Sequence, residues 1–201
     1  MRKRLAVEAG YSLVELMIVT GVMSVITGIA VIQIGSTRQG LNGDGAMRVV
    51  VSQMNQAKQL AITQRRNMLV TFSNDNSVQI LREEVPGPVV TTLSSVPFEG
   101  GLQMLKINAL GDPPAPELPA PAASALAPAL VASSAVRFGA NTTQARFSPE
   151  GTFIDQDGNA LNGTLFVALP NQVMSARAIT IFGSTGRIRA FRWDGRSWQV
   201  V

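Results

Sequence analysis

The chain has 201 residues and contains neither cysteine nor histidine. Without cysteine no disulfide can staple the fold, so its stability has to come from packing. Without histidine there is no Ser-His or Cys-His nucleophile, and the commonest transition-metal ligand is missing. Charged residues are sparse as well, at 15% of the chain. No catalytic constellation assembles from what remains, so the sequence reads as a non-enzyme that carries no cofactor and no metal. The formal net charge of +4 is too small to argue for nucleic acid on its own, because what matters is where the charge clusters.

What the chain does have is a long apolar run near its start. From Leu13 to Ile34 the only charged residue is Glu15. At about 1.5 Å per residue this stretch spans about 33 Å as a helix, enough for a hydrocarbon core. A secretory signal peptide has a shorter apolar region and a small-residue cleavage site after it, so that template fits less well. Arg2, Lys3 and Arg4 precede the run and no comparable cluster follows it, which places the leader in the cytoplasm and the remainder outside. A carboxylate in a bilayer helix costs about 2.5 to 3.5 kcal/mol near the helix centre, so Glu15 marks a functional site in want of a partner.

The segment Gly10-Tyr11-Ser12-Leu13-Val14-Glu15, behind its basic leader, resembles the prepilin signature of the type IV pilin family. That resemblance implies cleavage between Gly10 and Tyr11 by a prepilin peptidase and N-methylation of Tyr11, where the family usually has Phe. It also implies that Glu15 meets the N-terminal amine of a neighbouring subunit during filament assembly. The implied setting is the bacterial inner membrane, crossed once, with a periplasmic head and other pilin or pseudopilin subunits as partners. Removing Arg2, Lys3, Arg4 and Glu8 with the leader takes away +3 and −1, leaving about +2 of the original +4. Many pilins close a C-terminal loop with a disulfide, which this chain cannot do.

The expected fold is α+β, with a long N-terminal helix packed on a mainly antiparallel, β-rich head. The expected organisation is a leader at 1–10, a transmembrane helix at 11–34, a hinge and amphipathic helix at 35–66, and a head at 67–201. Glycines between Gly35 and Gly45 each disfavour helix by about 1 kcal/mol relative to Ala, which predicts a break there, with Asp44 capping a second helix. In that second helix Met47, Val50, Val51, Met54, Ala57 and Ala61 share a stripe, while Arg48, Gln53, Gln56 and Lys58 fall elsewhere.

After Arg66 short β-rich runs follow one another: Leu69–Phe72, Val78–Leu81, Val89–Leu93, Ser134–Phe138, Ala145–Phe147, Thr152–Ile154, Leu165–Leu169 and Ala178–Phe182. Turn residues at Asn74-Asp75-Asn76, Pro86-Gly87-Pro88 and Ser148-Pro149-Glu150-Gly151 separate several of them, and a last hairpin closes on Asp194-Gly195. Prolines and alanines crowd residues 111–134, which reads as a flexible or polyproline-like insertion, with a short helix over Ala122–Ala132 as the alternative. Asp155, Asp157 and Asn159 alternate around Gly158, but the full calcium-loop spacing and its terminal Glu are absent, so this is a polar turn.

Phe147–Thr152 and Gly183–Arg189 resemble the GspH/FimT branch of the pilin family, in which GspH-type members serve type II secretion and FimT-type members are implicated in DNA uptake. The FimT resemblance implies DNA binding through Gly186-Arg187-Ile188-Arg189. On a strand Arg187 and Arg189 point to one side, and Arg177, Arg192 and Arg196 lie near in sequence. Such a patch would neutralise phosphates of double- or single-stranded DNA, and aromatics beside it would stack on bases. With a two-residue turn at Asp194-Gly195, Trp193 would face Arg196 and Phe191 would face Trp198. A face carrying Phe191, Trp193 and Trp198 is also what a sheet would bury against the helix, which would leave the arginines at a rim or behind a bulge. A solvated arginine rim is the competing reading.

Overall fold

A computed structural model describes residues 12–72, 77–87, 89–105, 107, 110, 112–113, 135–138 and 145–201, with only the backbone described for 31–38. The leader, Gly10, Tyr11 and nearly all of the proline-rich insertion lie outside the described residues. The chain divides into two compact units, Met1–Arg38 and Gln39–Val201.

Helix α1 runs from Leu13 to Gln64 without interruption. This corrects the expected break between Gly35 and Gly45: in the second unit, tertiary contacts outweigh the glycine propensities. A Cβ on Gly43 would stand 2.4 Å from the Ser175 carbonyl oxygen and 3.0 Å from Arg177 Cζ. The missing side chain is what lets the helix lie directly against a strand. Asp44 is correspondingly not a cap, since it sits inside the helix and serves as a counter-ion. On the buried face of α1 lie Ala46, Met47, Val50, Met54, Ala57 and Ala61, five of them from the expected stripe, with Val51 packed at its margin. Gln53 departs from expectation. It is buried, and its amide oxygen accepts the Ser94 hydroxyl at 2.9 Å.

Two five-stranded antiparallel sheets face this helix. The first has the order β3-β2-β1-β5-β6, built from β1 (Met68–Phe72), β2 (Ser77–Glu83), β3 (Val90–Pro97), β5 (Arg146–Phe147) and β6 (Phe153–Ile154). The second has the order β10-β9-β8-β7-β4, built from β4 (Val136–Arg137), β7 (Gly163–Leu169), β8 (Gln172–Phe182), β9 (Arg187–Trp193) and β10 (Trp198–Val200). The fold is thus α+β, and every run expected to be a strand contributes to one. β8 begins earlier than its apolar pattern suggested, because Pro170 and Asn171, the latter at φ 60, form a two-residue turn after Leu169.

The main core lies between α1 and both sheets, where Leu165, Val167, Ile179 and Ile181 meet Met54, Ala57 and Phe147. Phe153 packs edge-on against Phe138 with ring centroids 5.3 Å apart. A second, smaller cluster gathers Phe166, Ala168, Ala176, Ala178, Phe191 and Trp198 on the other face of the second sheet. Alternation along the strands explains the division, since Phe166 and Ala168 point opposite to Leu165 and Val167. Being covered on both sides, β7 is buried at all of its positions, which is why its sequence from Leu165 to Leu169 is continuously apolar.

Candidate functional site

In the first unit, an 18-residue window of α1 from Leu13 to Ala30 has a mean hydropathy of 2.1, and none of it is buried by the protein. The hydroxyls in this window are satisfied by the helix itself. Thr20 donates to Leu16 O at 2.9 Å, Ser24 to Thr20 O at 2.8 Å and Thr27 to Met23 O at 2.8 Å. In lipid, where no water can serve, a hydroxyl must find such a backbone carbonyl. Glu15 lies in the first turn of α1. The N-terminal location is electrostatically favourable, because a helix start carries partial positive charge. Its carboxylate has no hydrogen bond or ion pair among the described residues.

In the second unit the two segments singled out near the C-terminus meet. Gly186 adopts φ 57, and a Cβ there would stand 2.1 Å from the carbonyl oxygen of Gly151. Gly151, at φ 81, has Ile62 and Lys58 of the helix against it in the same way. Lys58 closes the junction by donating to Thr185 O at 2.8 Å and Gly186 O at 3.2 Å. The glycine of the Gly-Arg-x-Arg element therefore has a structural reason of its own, namely close backbone approach at a left-handed turn.

The arginines near the C-terminus separate onto opposite faces. Arg187 and Arg189 project from β9 on the side that carries the small aromatic cluster, and Arg187 Cζ lies 5.8 Å from the Phe182 ring centroid. Arg177 and Arg192, paired across β8 and β9, point to the helix side. Arg177 is fully buried. Its Nε donates to Asp44 Oδ1 at 2.7 Å, its Nη2 to Gly40 O at 2.7 Å, and its Nη1 to Met174 O at 3.0 Å and Ala176 O at 2.8 Å. Arg192, half-exposed, lies 4.0 Å from the second oxygen of Asp44. Arg177 and Arg192 thus leave the expected patch. Nothing in the local pattern could have revealed this, because Asp44 and Arg177 are 133 positions apart.

The last hairpin also differs from expectation. Trp193 pairs with Trp198 and Phe191 with Val200, so the loop is Asp194–Ser197 and not a two-residue turn. One oxygen of Asp194 accepts the N–H groups of Arg196 at 2.7 Å and Ser197 at 2.8 Å, and these bonds hold its carboxyl below the ordinary aspartate value. Arg196 is exposed in that loop. Trp193 and Trp198 stack edge-on at 5.4 Å. Phe191 and Trp198 are buried and Trp193 is partly buried, but in the outer cluster and not against the helix, and no bulge in β9 is needed.

The loop at Asp155 is a polar turn, as read from sequence. Its carboxylate accepts the N–H groups of Asp157 and Asn159, both at 2.9 Å. Among the described residues no cluster of three or more acidic groups could hold a metal ion.

Comparison with known proteins adds a family. The family profile described as Type II transport protein GspH matches residues 46–201. Among solved structures the chain is similar to the type IV minor pilin FimU of Pseudomonas aeruginosa strain PAO1, at 13% identity over 78% of this chain and 91% of that one, with a TM-score of 0.46. No curated protein matches the sequence significantly.

Proposed function

Because the chain belongs to the GspH family of type II transport proteins, a family of pilin-like structural subunits and not of enzymes, we propose that it is a minor pseudopilin or minor pilin anchored in the bacterial inner membrane. The family description favours the type II secretion pseudopilus over a type IV pilus. In this reading a prepilin peptidase cuts after Gly10 on the cytoplasmic side and methylates Tyr11, and the periplasmic head travels with the growing filament. The observation that carries the proposal is the lone acid Glu15 in an otherwise uncharged, unburied apolar window ahead of the family-matched head. Neighbouring subunits supply what Glu15 lacks: the positively charged N-terminus of the next protomer.

Intact-mass and N-terminal analysis of the protein taken from membranes of its own host tests the processing step. The expected product starts at an N-methylated Tyr11. A product that keeps its initiator methionine, or one trimmed beyond Ile34, would overturn the proposal.

A second reading, a DNA-uptake minor pilin, draws support from Arg187 and Arg189 sharing the outward aromatic-bearing face. Two arginines neutralising phosphates make a weak, salt-dependent site. In a gel-shift titration the full chain in detergent is expected to bind DNA less tightly after Arg187→Gln and Arg189→Gln together, with Arg192→Gln neutral. Equal binding by the double variant would remove this reading.

A further inference from the structure

Two stretches on either side of the proline-rich insertion lie end to end along the same strand. Ahead of it, Gln103 and Ala168 exchange both backbone hydrogen bonds at 3.0 Å, and Leu105 N–H donates to Phe166 O at 3.2 Å. Behind it, Phe166 N–H donates to Ala135 O at 2.8 Å, and β4 continues down β7 by pairing Val136 with Leu165 and Arg137 with Thr164. Both pairings are antiparallel. Phe166 therefore takes one bond from each side of the insertion, and the two stretches together make one interrupted edge strand.

The excursion out of this edge is closed in two stages. Ile107 and Leu110 pack in the smaller cluster with Phe166, and Pro113 is buried as well. Asp112 then meets Arg137 across 25 positions, with Nη1 donating to Oδ1 at 2.5 Å. Arg137 is buried while Asp112 is partly exposed, so the pair sits with its cation under the surface and its acid at the opening. A buried guanidinium needs its counter-charge, and removing that charge is far costlier than losing a surface pair. β4 has only two residues, too few to hold an edge by ladder bonds alone. The pair supplies the missing hold.

We infer that Asp112 and Arg137 form a clasp that closes the base of the insertion, so that the head folds without residues 114–134. Closing a long loop costs only about 0.6 kcal/mol more per doubling of its length, which is why an edge strand can carry such an excursion once its ends are fixed. What residues 114–134 contribute lies outside the stability of the head. This inference rests on the edge strand and the ion pair, and not on the proposed assembly.

Two variants of the full chain in detergent test it. In the first, residues 114–134 are replaced by six glycines and serines, which reach about 20 Å and so join two ends held side by side. Its melting midpoint is expected to equal that of wild type or to rise by up to about 4 °C, because a shorter loop is cheaper to close. A clear fall, or loss of cooperative unfolding, would make the insertion part of the fold and overturn the inference. In the second, Asp112→Asn with the natural insertion, amide hydrogen exchange at Phe166 and in β4 should quicken by about tenfold or more while β8 and β9 keep their protection. Unchanged exchange at those positions, or a rise spread evenly over the head, overturns the clasp.

Discussion

Arg177→Ala is expected to lower the stability of the head by about 3 kcal/mol or more, the range for breaking a buried ion pair by removing one partner. The guanidinium bonds Asp44 and the carbonyls of Gly40, Met174 and Ala176. Truncation would strand all four acceptors and open a void between β8 and α1. Asp44 retains some access to water, with 23% of its side chain exposed, which places the loss at the lower end of that range. For a unit of this size the melting midpoint should fall by roughly 6 to 12 °C. Arg177→Lys should recover little of this, because an ammonium offers three donors from one point and lacks the fork that spans Gly40 and Asp44 together. The measurement is thermal unfolding of the full chain in detergent, followed through Trp193 and Trp198. A midpoint within a degree or two of wild type for Arg177→Ala would show that the buried arginine does not hold the helix to the sheet.

Glu15→Val should leave membrane insertion intact, or slightly improved, while incorporation into filaments drops by roughly 30-fold or more. Insertion follows the apolar window Leu13–Ala30, and replacing an acid with valine removes a cost instead of adding one. Assembly follows the opposite logic. Losing one partner of a desolvated charge pair costs about 2 to 5 kcal/mol, much of it from the amine left unpaired. Quantifying the chain in membrane and sheared-filament fractions separates the two effects. Normal filament levels for Glu15→Val would mean that the carboxylate has no part in docking, and the assembly reading would lose its electrostatic basis.

Periodicity was readable wherever a residue's neighbours along the chain set its environment. The apolar window, the stripe Met47, Val50, Met54, Ala57 and Ala61, and the strand runs all emerged from local spacing, because helix and strand each present side chains at a fixed repeat. The polar turn at Asp155 was legible for the same reason, its acceptor and donors lying within four positions of one another. Gln53 and Lys58 looked solvent-facing because what each of them meets, Ser94 and the Thr185–Gly186 turn, is distant in sequence.

Composition and local pattern were thus enough to establish a helix with an apolar window long enough to cross a membrane, carrying one acid, and a β-rich head without covalent staples. Tertiary structure alone decided three further matters: that α1 continues through its glycines, that Arg177 turns inward to Asp44 while Arg187 and Arg189 turn outward, and that the tryptophans pack on the face away from the helix. A helix stripe depends on contacts three or four residues apart. The partner of a buried charge, and the face on which a strand's aromatics are covered, depend on which distant segments the sheets bring together.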